Sequence, residues 1–170
     1  TFWQLEESVK GMRDACDVLQ TPVTGGNVSL YNETQGEAIF PTPVVGMIGL
    51  VHNVEHITQQ AFTHAGDAVL LLGETYAELG GSEWQYVREG EPSLTTECLV
   101  QRAALKAIQK SLVRSAHDLS EGGLAVALAE ACIGNGLGAD IHIDTQLTAT
   151  EILFSESQSR ILLSVDDDKL

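Results

Sequence analysis

The chain has 170 residues, with 24 acidic against 9 basic side chains for a formal charge of −15, and 44% of it is hydrophobic against 19% charged. That is a globular composition, and a chain near this length buries roughly 70% of its unfolded surface, enough for one core or two small ones without disulfides or structural metal. The charge argues against binding to nucleic acid or to an anionic membrane, and no apolar run approaches the ~18 residues of a membrane-spanning helix. Any phosphate handled here has to be neutralised by a divalent cation, by backbone N–H groups or by residues outside this chain.

The start, Thr1-Phe2-Trp3-Gln4-Leu5-Glu6-Glu7, has neither the basic nor the apolar region of a signal peptide, and both ends read as cut from a longer protein. Cys16, Cys98 and Cys132 lie far apart without a CxxC pair, and are expected to be reduced core residues of a cytoplasmic protein.

In chain order, Leu5, Val9, Met12, Cys16 and Leu19 mark one face of a helix over residues 4–20, ended by Pro22, with Glu6 and Glu7 near its positive end. Residues 21–31 read as a strand interrupted by Gly25-Gly26, and 43–51 as a second, buried strand. The turn chemistry of 32–37 lets the two pair as a hairpin. A domain boundary is placed near residue 53, giving domains 1–52 and 53–170. A short helical stretch near 55–63 is followed by a strand at 68–73 and a Gly-rich loop at 79–83. A long helix then carries a core stripe of Leu94, Cys98, Leu105, Ile108 and Leu112. The remaining pattern predicts a strand at 113–117, a helix from 121 to about 133, a strand at 139–143, a helical piece near 148–154 and a strand at 160–165. Strands alternating with helices make this an α/β (α+β) chain.

Two segments carry chemistry. In Thr24-Gly25-Gly26-Asn27-Val28-Ser29-Leu30-Tyr31, the glycines permit close backbone approach, and period-two spacing puts Asn27, Ser29 and Tyr31 on one strand face. An amide oxygen is a hard ligand suited to Mg²⁺, a hydroxyl bonds a phosphate or substrate, and successive glycine N–H groups form an anion nest. The competing reading is a bulge or tight turn with polar residues facing water.

In Ser115-Ala116-His117-Asp118-Leu119-Ser120-Glu121-Gly122-Gly123-Leu124, a strand ends in His-Asp and Ser120 stands at the expected N-cap of a helix. Unpaired N–H groups there favour an anion, and Asp118 can hold the accompanying cation; ordinary capping is the competing reading. The 79–83 loop and the Ser155-Glu156-Ser157-Gln158 turn are weaker signals, and Asp166-Asp167-Asp168 reads as a solvated turn. His52, His56, His64 and His142 have no zinc-site spacing.

Taken together, Pro22–Thr34, Glu78–Glu83 and Ser115–Glu130 resemble phosphoribosylformylglycinamidine synthases, within the aminoimidazole ribonucleotide synthetase-like superfamily. The resemblance covers essentially the whole chain in the family's order. It implies the end of the second N-terminal-type, barrel-forming domain at 1–52 and most of the second C-terminal-type α/β domain at 53–170. It further implies ATP-dependent conversion of formylglycinamide ribonucleotide and ammonia to the amidine, ADP and phosphate. In that chemistry ATP activates the amide oxygen, and ammonia from glutamine displaces phosphate.

Position by position, the resemblance implies that Gly26 contacts ATP, Asn27 binds Mg²⁺ and Ser29 contacts substrate. Asp118 resembles a metal ligand and Ser120 a nucleotide contact, at what is an auxiliary nucleotide site in the long, single-chain form of the enzyme. Glu156-Ser157-Gln158 resembles a substrate-binding tripeptide of the first repeat, although this copy belongs to the second. No catalytic residue is carried over, because the family's catalytic His and Lys belong to the missing first repeat or to upstream segments. The chain alone is therefore expected to be inactive, and its expected partners are that missing half and a glutaminase subunit. Another ATP-using superfamily member and a non-catalytic scaffold half are the alternative readings.

Overall fold

The computed structural model describes residues 2–29, 33–40, 42–80, 82 and 93–170. The chain divides into two compact units, Thr1–Leu50 and Val51–Leu170.

The first unit opens with helix α1, Phe2–Leu19, where the periodic stripe predicts it. Gln20 then adopts φ 56°, and the following Thr21-Pro22 cannot continue the helical ladder. Glu6 and Glu7 lie beyond the first turn and pair with Lys10, at 3.2 and 2.8 Å. No residue of α1 is fully buried, so its apolar stripe gains little from packing within this unit.

The two long strands expected here are not formed. Residues 21–29 and 42–51 carry no regular structure, and the only ladder in this unit is a two-residue antiparallel pair, β1 Glu33–Thr34 with β2 Glu37–Ala38, among the described residues. The turn expected at 32–37 is therefore present, but the arms it joins are far shorter than the sequence pattern predicts. A strand persists only when its N–H and C=O groups find a neighbouring ladder. None is supplied by the described residues, and Val44 and Ile48 remain 93% and 96% exposed.

The second unit is built on a sheet in the order β3-β5-β4, with both pairings antiparallel: β3 is Ala68–Leu72, β5 Ile161–Val165 and β4 Val113–Asp118. β5 is central, and four of its five residues are buried, which explains its nearly unbroken apolar sequence. Gln59 adds a parallel bridge to Ser115 on the outer side of β4. The helical stretch expected near 55–63 is reduced to one 3₁₀ turn, Val54–His56, because the chain beyond it turns extended to reach that bridge.

Helix α3, Gly123–Ile133, lays Leu124, Ala127 and Ala131 against Phe62 and Leu162 to form the core. The spacing of 124, 127 and 131 is one helix face, and the two alanines let α3 approach closely. Helix α2, Leu94–Gln109, buries Val100 and Ala104 rather than the expected stripe, leaving Leu105 exposed.

Helix α4, Ala149–Phe154, begins with a reciprocal cap. Thr148 Oγ1 accepts from the Glu151 amide, and the Glu151 carboxylate accepts from the Thr148 amide. The strand expected at 139–143 is absent: the segment has no ladder partner among the described residues and its Ile141 and Ile143 stay partly exposed.

The sheet's two ends differ. At one, a bulge between Val113 and Ser115 frees Arg114 to pair with Asp67, just before β3, and with Asp166, just after β5, the latter at 2.5 Å. At the other, three loops meet.

Candidate functional site

Leu72, Ile161 and Asp118 are in register across the sheet, so the loops that follow β3, precede β5 and follow β4 emerge together. The middle loop, residues 155–160, is fixed by Arg160, only 2% exposed. Its Nε donates to Ser157 O (2.9 Å), Nη2 to Ser155 O (2.5 Å) and Nη1 to Thr75 Oγ1 (3.0 Å). Burial lowers this guanidinium's pKa to about 10, opposed by the nearby Glu78 and Glu156 carboxylates.

The loop is also sewn to its neighbours. Tyr76 N–H donates to Ser157 Oγ (3.0 Å), Leu119 N–H to Arg160 O (3.2 Å) and Gly122 N–H to Glu156 Oε1 (2.8 Å). Close approach demands glycine at two points. A Cβ on Gly73 (φ +88°) would lie 2.1 Å from Ser159 O, and one on Gly123 (φ +61°) 2.5 Å from Ser155 O.

The β4–α3 connection differs from the sequence expectation in one respect. Ser120 is not the N-cap of α3: that position is Gly122, in the left-handed conformation at φ 79°, and no side chain caps it. Two successive left-handed glycines move the helix start downstream. Ser120 lies exposed, and its carbonyl oxygen accepts from Gly123 N–H (3.0 Å). Asp118, at the end of β4, has an 80% exposed side chain. His117 beside it is buried, with Nε2 2.9 Å from Glu130 Oε2 and Nδ1 3.6 Å from Asp118 Oδ1. His117 Nδ1 and Ser155 Oγ are buried without a hydrogen-bond partner.

The structure therefore gathers Asp118, Ser120, the Glu156-Ser157-Gln158 turn and the Glu78 segment around one sheet end. Ser82 is buried and bonds the carbonyl of Leu79. Gly81 and Glu83 lie outside the described residues. Sequence reading missed Arg160 and Thr75 as the groups that hold this end together. The available signal was a single cation set directly before an apolar strand.

The other motif lies in the first unit. There Asn27 Nδ2 donates to Ser29 Oγ (2.7 Å), so the two side chains share a side as period-two spacing requires, and Asn27 directs its amide NH₂ inward to that bond. Tyr31 lies outside the described residues. A Cβ placed on Gly25 or Gly26 would meet no atom within 4 Å, and neither residue has positive φ, so local strain does not explain them.

A cavity of about 410 Å³ lies at the opposite end of the sheet, between Asp67–Val69 and Leu137–His142. It takes in His64 and His142 but none of the sheet-end residues above, so this hollow is not where the motifs converge. Among the described residues no group of three or more His, Cys, Asp or Glu is arranged to hold a metal ion, and no helix is long and apolar enough to cross a membrane.

Residues 1–51 match the N-terminal domain, and residues 64–170 the C-terminal domain, of the AIR synthase related proteins. The chain belongs to this family. Solved structures with the same fold come from Thermotoga maritima. PurL complexed with FGAR matches at 22% identity and TM-score 0.59, over 68% of this chain and 22% of that one. Phosphoribosylformylglycinamidine synthase II matches at 26% identity and TM-score 0.56, over 68% and 20%. PurL complexed with ATP matches at 26% identity and TM-score 0.55, over 68% and 20%. The chain thus spans about a fifth of the length of the solved structures it matches.

Proposed function

We propose that the chain is part of an ATP-dependent ligase of purine biosynthesis, contributing to conversion of formylglycinamide ribonucleotide and ammonia to formylglycinamidine ribonucleotide, ADP and phosphate. Residues 1–52 are then the end of a second N-terminal-type domain and 53–170 most of a second C-terminal-type domain. The observation that carries the reading is the Asn27–Ser29 bond. It leaves the Asn27 amide oxygen for a cation and holds the Ser29 hydroxyl beside it, next to the open backbone of Gly26. The family's two halves in order, and the ATP and FGAR named for the similar PurL structures, support the same reading.

In this reading Gly26 admits the ATP phosphates by close backbone approach, Ser29 orients the substrate, and Asn27 binds Mg²⁺. Asp118 and Ser120 serve a second nucleotide site in the other unit. The donor chemistry fits: the Asn27 amide oxygen and the exposed Asp118 carboxylate are hard oxygens. Mg²⁺ characteristically takes one or two such protein ligands and fills its remaining positions with water and phosphate, so no large protein cage is required. When bound, the ion supplies charge neutralisation of the polyphosphate. The protein is cytoplasmic in this reading, and its partners are the other half of the ligase and a glutaminase that supplies ammonia. The 170-residue chain alone makes no product.

The test is ADP release coupled to amidine formation by the full-length protein, wild type beside Asn27→Ala. Activity in the wild type, and its loss on the order of 10–100-fold in a folded variant, is the expected result. Unchanged turnover with normal Mg²⁺ dependence would remove Asn27 from the site, and an inactive wild type with its glutaminase present would remove the reaction.

A further inference from the structure

We propose that the outer face of α2 is a docking surface for an acidic amphipathic helix of another polypeptide. Cations are scarce in this chain, 9 against 24 acidic residues, and most of the described ones are engaged within it. Lys10 and Arg13 pair with carboxylates of α1, and Arg114 with Asp67 and Asp166. Arg160 is spent on Ser155 O, Ser157 O and Thr75 Oγ1, and Lys169 donates to Ser111 O. Among the described residues, the cations left without a hydrogen bond or ion pair from their side chains are Arg102, Lys106 and Lys110. All three are exposed, and they stand four residues apart along one side of α2 and its C-cap. The helix's single carboxylate does not answer them, because Glu97 accepts from Gln101 Nε2 at 2.6 Å.

Isolated exposed charges contribute little to folding, so the fold does not require these three to be aligned. The same side of α2 also carries apolar groups. Leu99, three residues before Arg102, and Leu105, three after it, are 62% and 55% exposed, while the face toward the core is carried by Val100 and Ala104. Two leucines beside the aliphatic stems of Arg102 and Lys106 make an apolar strip with positive charge along it, and the three cations span about 12 Å of helix. A second helix whose carboxylates recur every four residues presents its charges at the same rise, so three ion pairs form in one register while its own apolar side chains cover Leu99 and Leu105. A nucleic acid would match the cations but offers nothing to the leucines, and the chain's net charge of −15 repels it.

The test uses the full-length protein and fluorescence anisotropy with three probes: a synthetic helix carrying Glu at four-residue spacing beside a leucine stripe, a peptide of the same composition with its glutamates distributed around the helix, and an RNA duplex. Wild type is compared with R102Q/K106Q/K110Q and with L99Q/L105Q, all at exposed positions, with folding checked by circular dichroism. The patterned helix is expected to bind wild type about tenfold or more tightly than the distributed one, and to weaken as salt rises. R102Q/K106Q/K110Q is expected to lose about tenfold or more of that affinity together with its salt dependence. L99Q/L105Q is expected to weaken binding by about threefold or more while keeping the salt dependence. No binding of the patterned helix, equal affinity for the two peptides, or an unchanged affinity in either variant would overturn the proposal. Tighter binding of the RNA duplex than of the patterned helix would overturn it in favour of a nucleic-acid surface.

Discussion

His117 Nε2 and Glu130 Oε2 lie 2.9 Å apart, joining the end of β4 to the outer face of α3. An ionised carboxylate can only accept, so Nε2 carries the hydrogen. Glu130→Ala strips a buried ring nitrogen of its partner and should destabilise the fold by about 1–3 kcal/mol, with Glu130→Gln costing less because its amide oxygen still accepts. Urea denaturation of the two variants beside wild type checks this; a Glu130→Ala variant as stable as wild type would mean that the bond contributes nothing.

Arg160→Leu removes a buried cation and leaves Ser155 O and Ser157 O without their donor. We expect a loss of about 2–4 kcal/mol, with local opening of residues 155–160 seen as faster amide exchange at Tyr76 and Gly122. Unaltered exchange at those two amides would show that the loop holds its shape without the guanidinium.

Two glycines separate structural from functional constraint. Gly73→Ala forces a Cβ to 2.1 Å from a carbonyl oxygen at φ +88° and should cost on the order of 1–3 kcal/mol or more. Gly26→Ala meets no neighbour and should shift stability by no more than about 0.5 kcal/mol while impairing turnover of the full-length protein. A variant at Gly26 that turns over normally would remove it from the ATP site.

The cap of α4 gives a pH dependence with a definite sign. The Thr148 amide, and then its hydroxyl, hold the Glu151 carboxyl below its ordinary range. Its contribution is therefore fully present above the usual carboxylate pKa and is lost as pH falls through the lowered folded value. The protection of the Glu151 and Ile152 amides, taken as exchange relative to the intrinsic rate at each pH, should fall on acidification, and Glu151→Gln should flatten that response. A profile identical in the variant would refute the assignment.

The sequence disclosed what is local. The stripe of α1, the apolar runs of β3 and β5 and the helical piece at α4 all follow from spacing within a few residues. What it did not disclose depends on partners distant in the chain. Residues 43–51 and 139–143 have the composition of strands, yet composition does not furnish a ladder. Ser120 has the chemistry of a cap and sits where the helical pattern begins. The left-handed turn at Gly122 and Gly123, forced by the approach of the 155 loop, sets the true start. For the same reason Glu156, separated by 34 residues from the amide it meets, could be marked as a motif but not as the occupant of a helix terminus.

Arg114 and Arg160 brace the sheet from its two ends. Because β3 and β4 are not neighbours in the sheet, the Arg114 link from Asp67 to Asp166 ties all three strands at one end. Arg160 ties the loops at the other. Two guanidiniums, one per end, thus do for this small antiparallel sheet what further strands do in a larger one: they cross-link its edges.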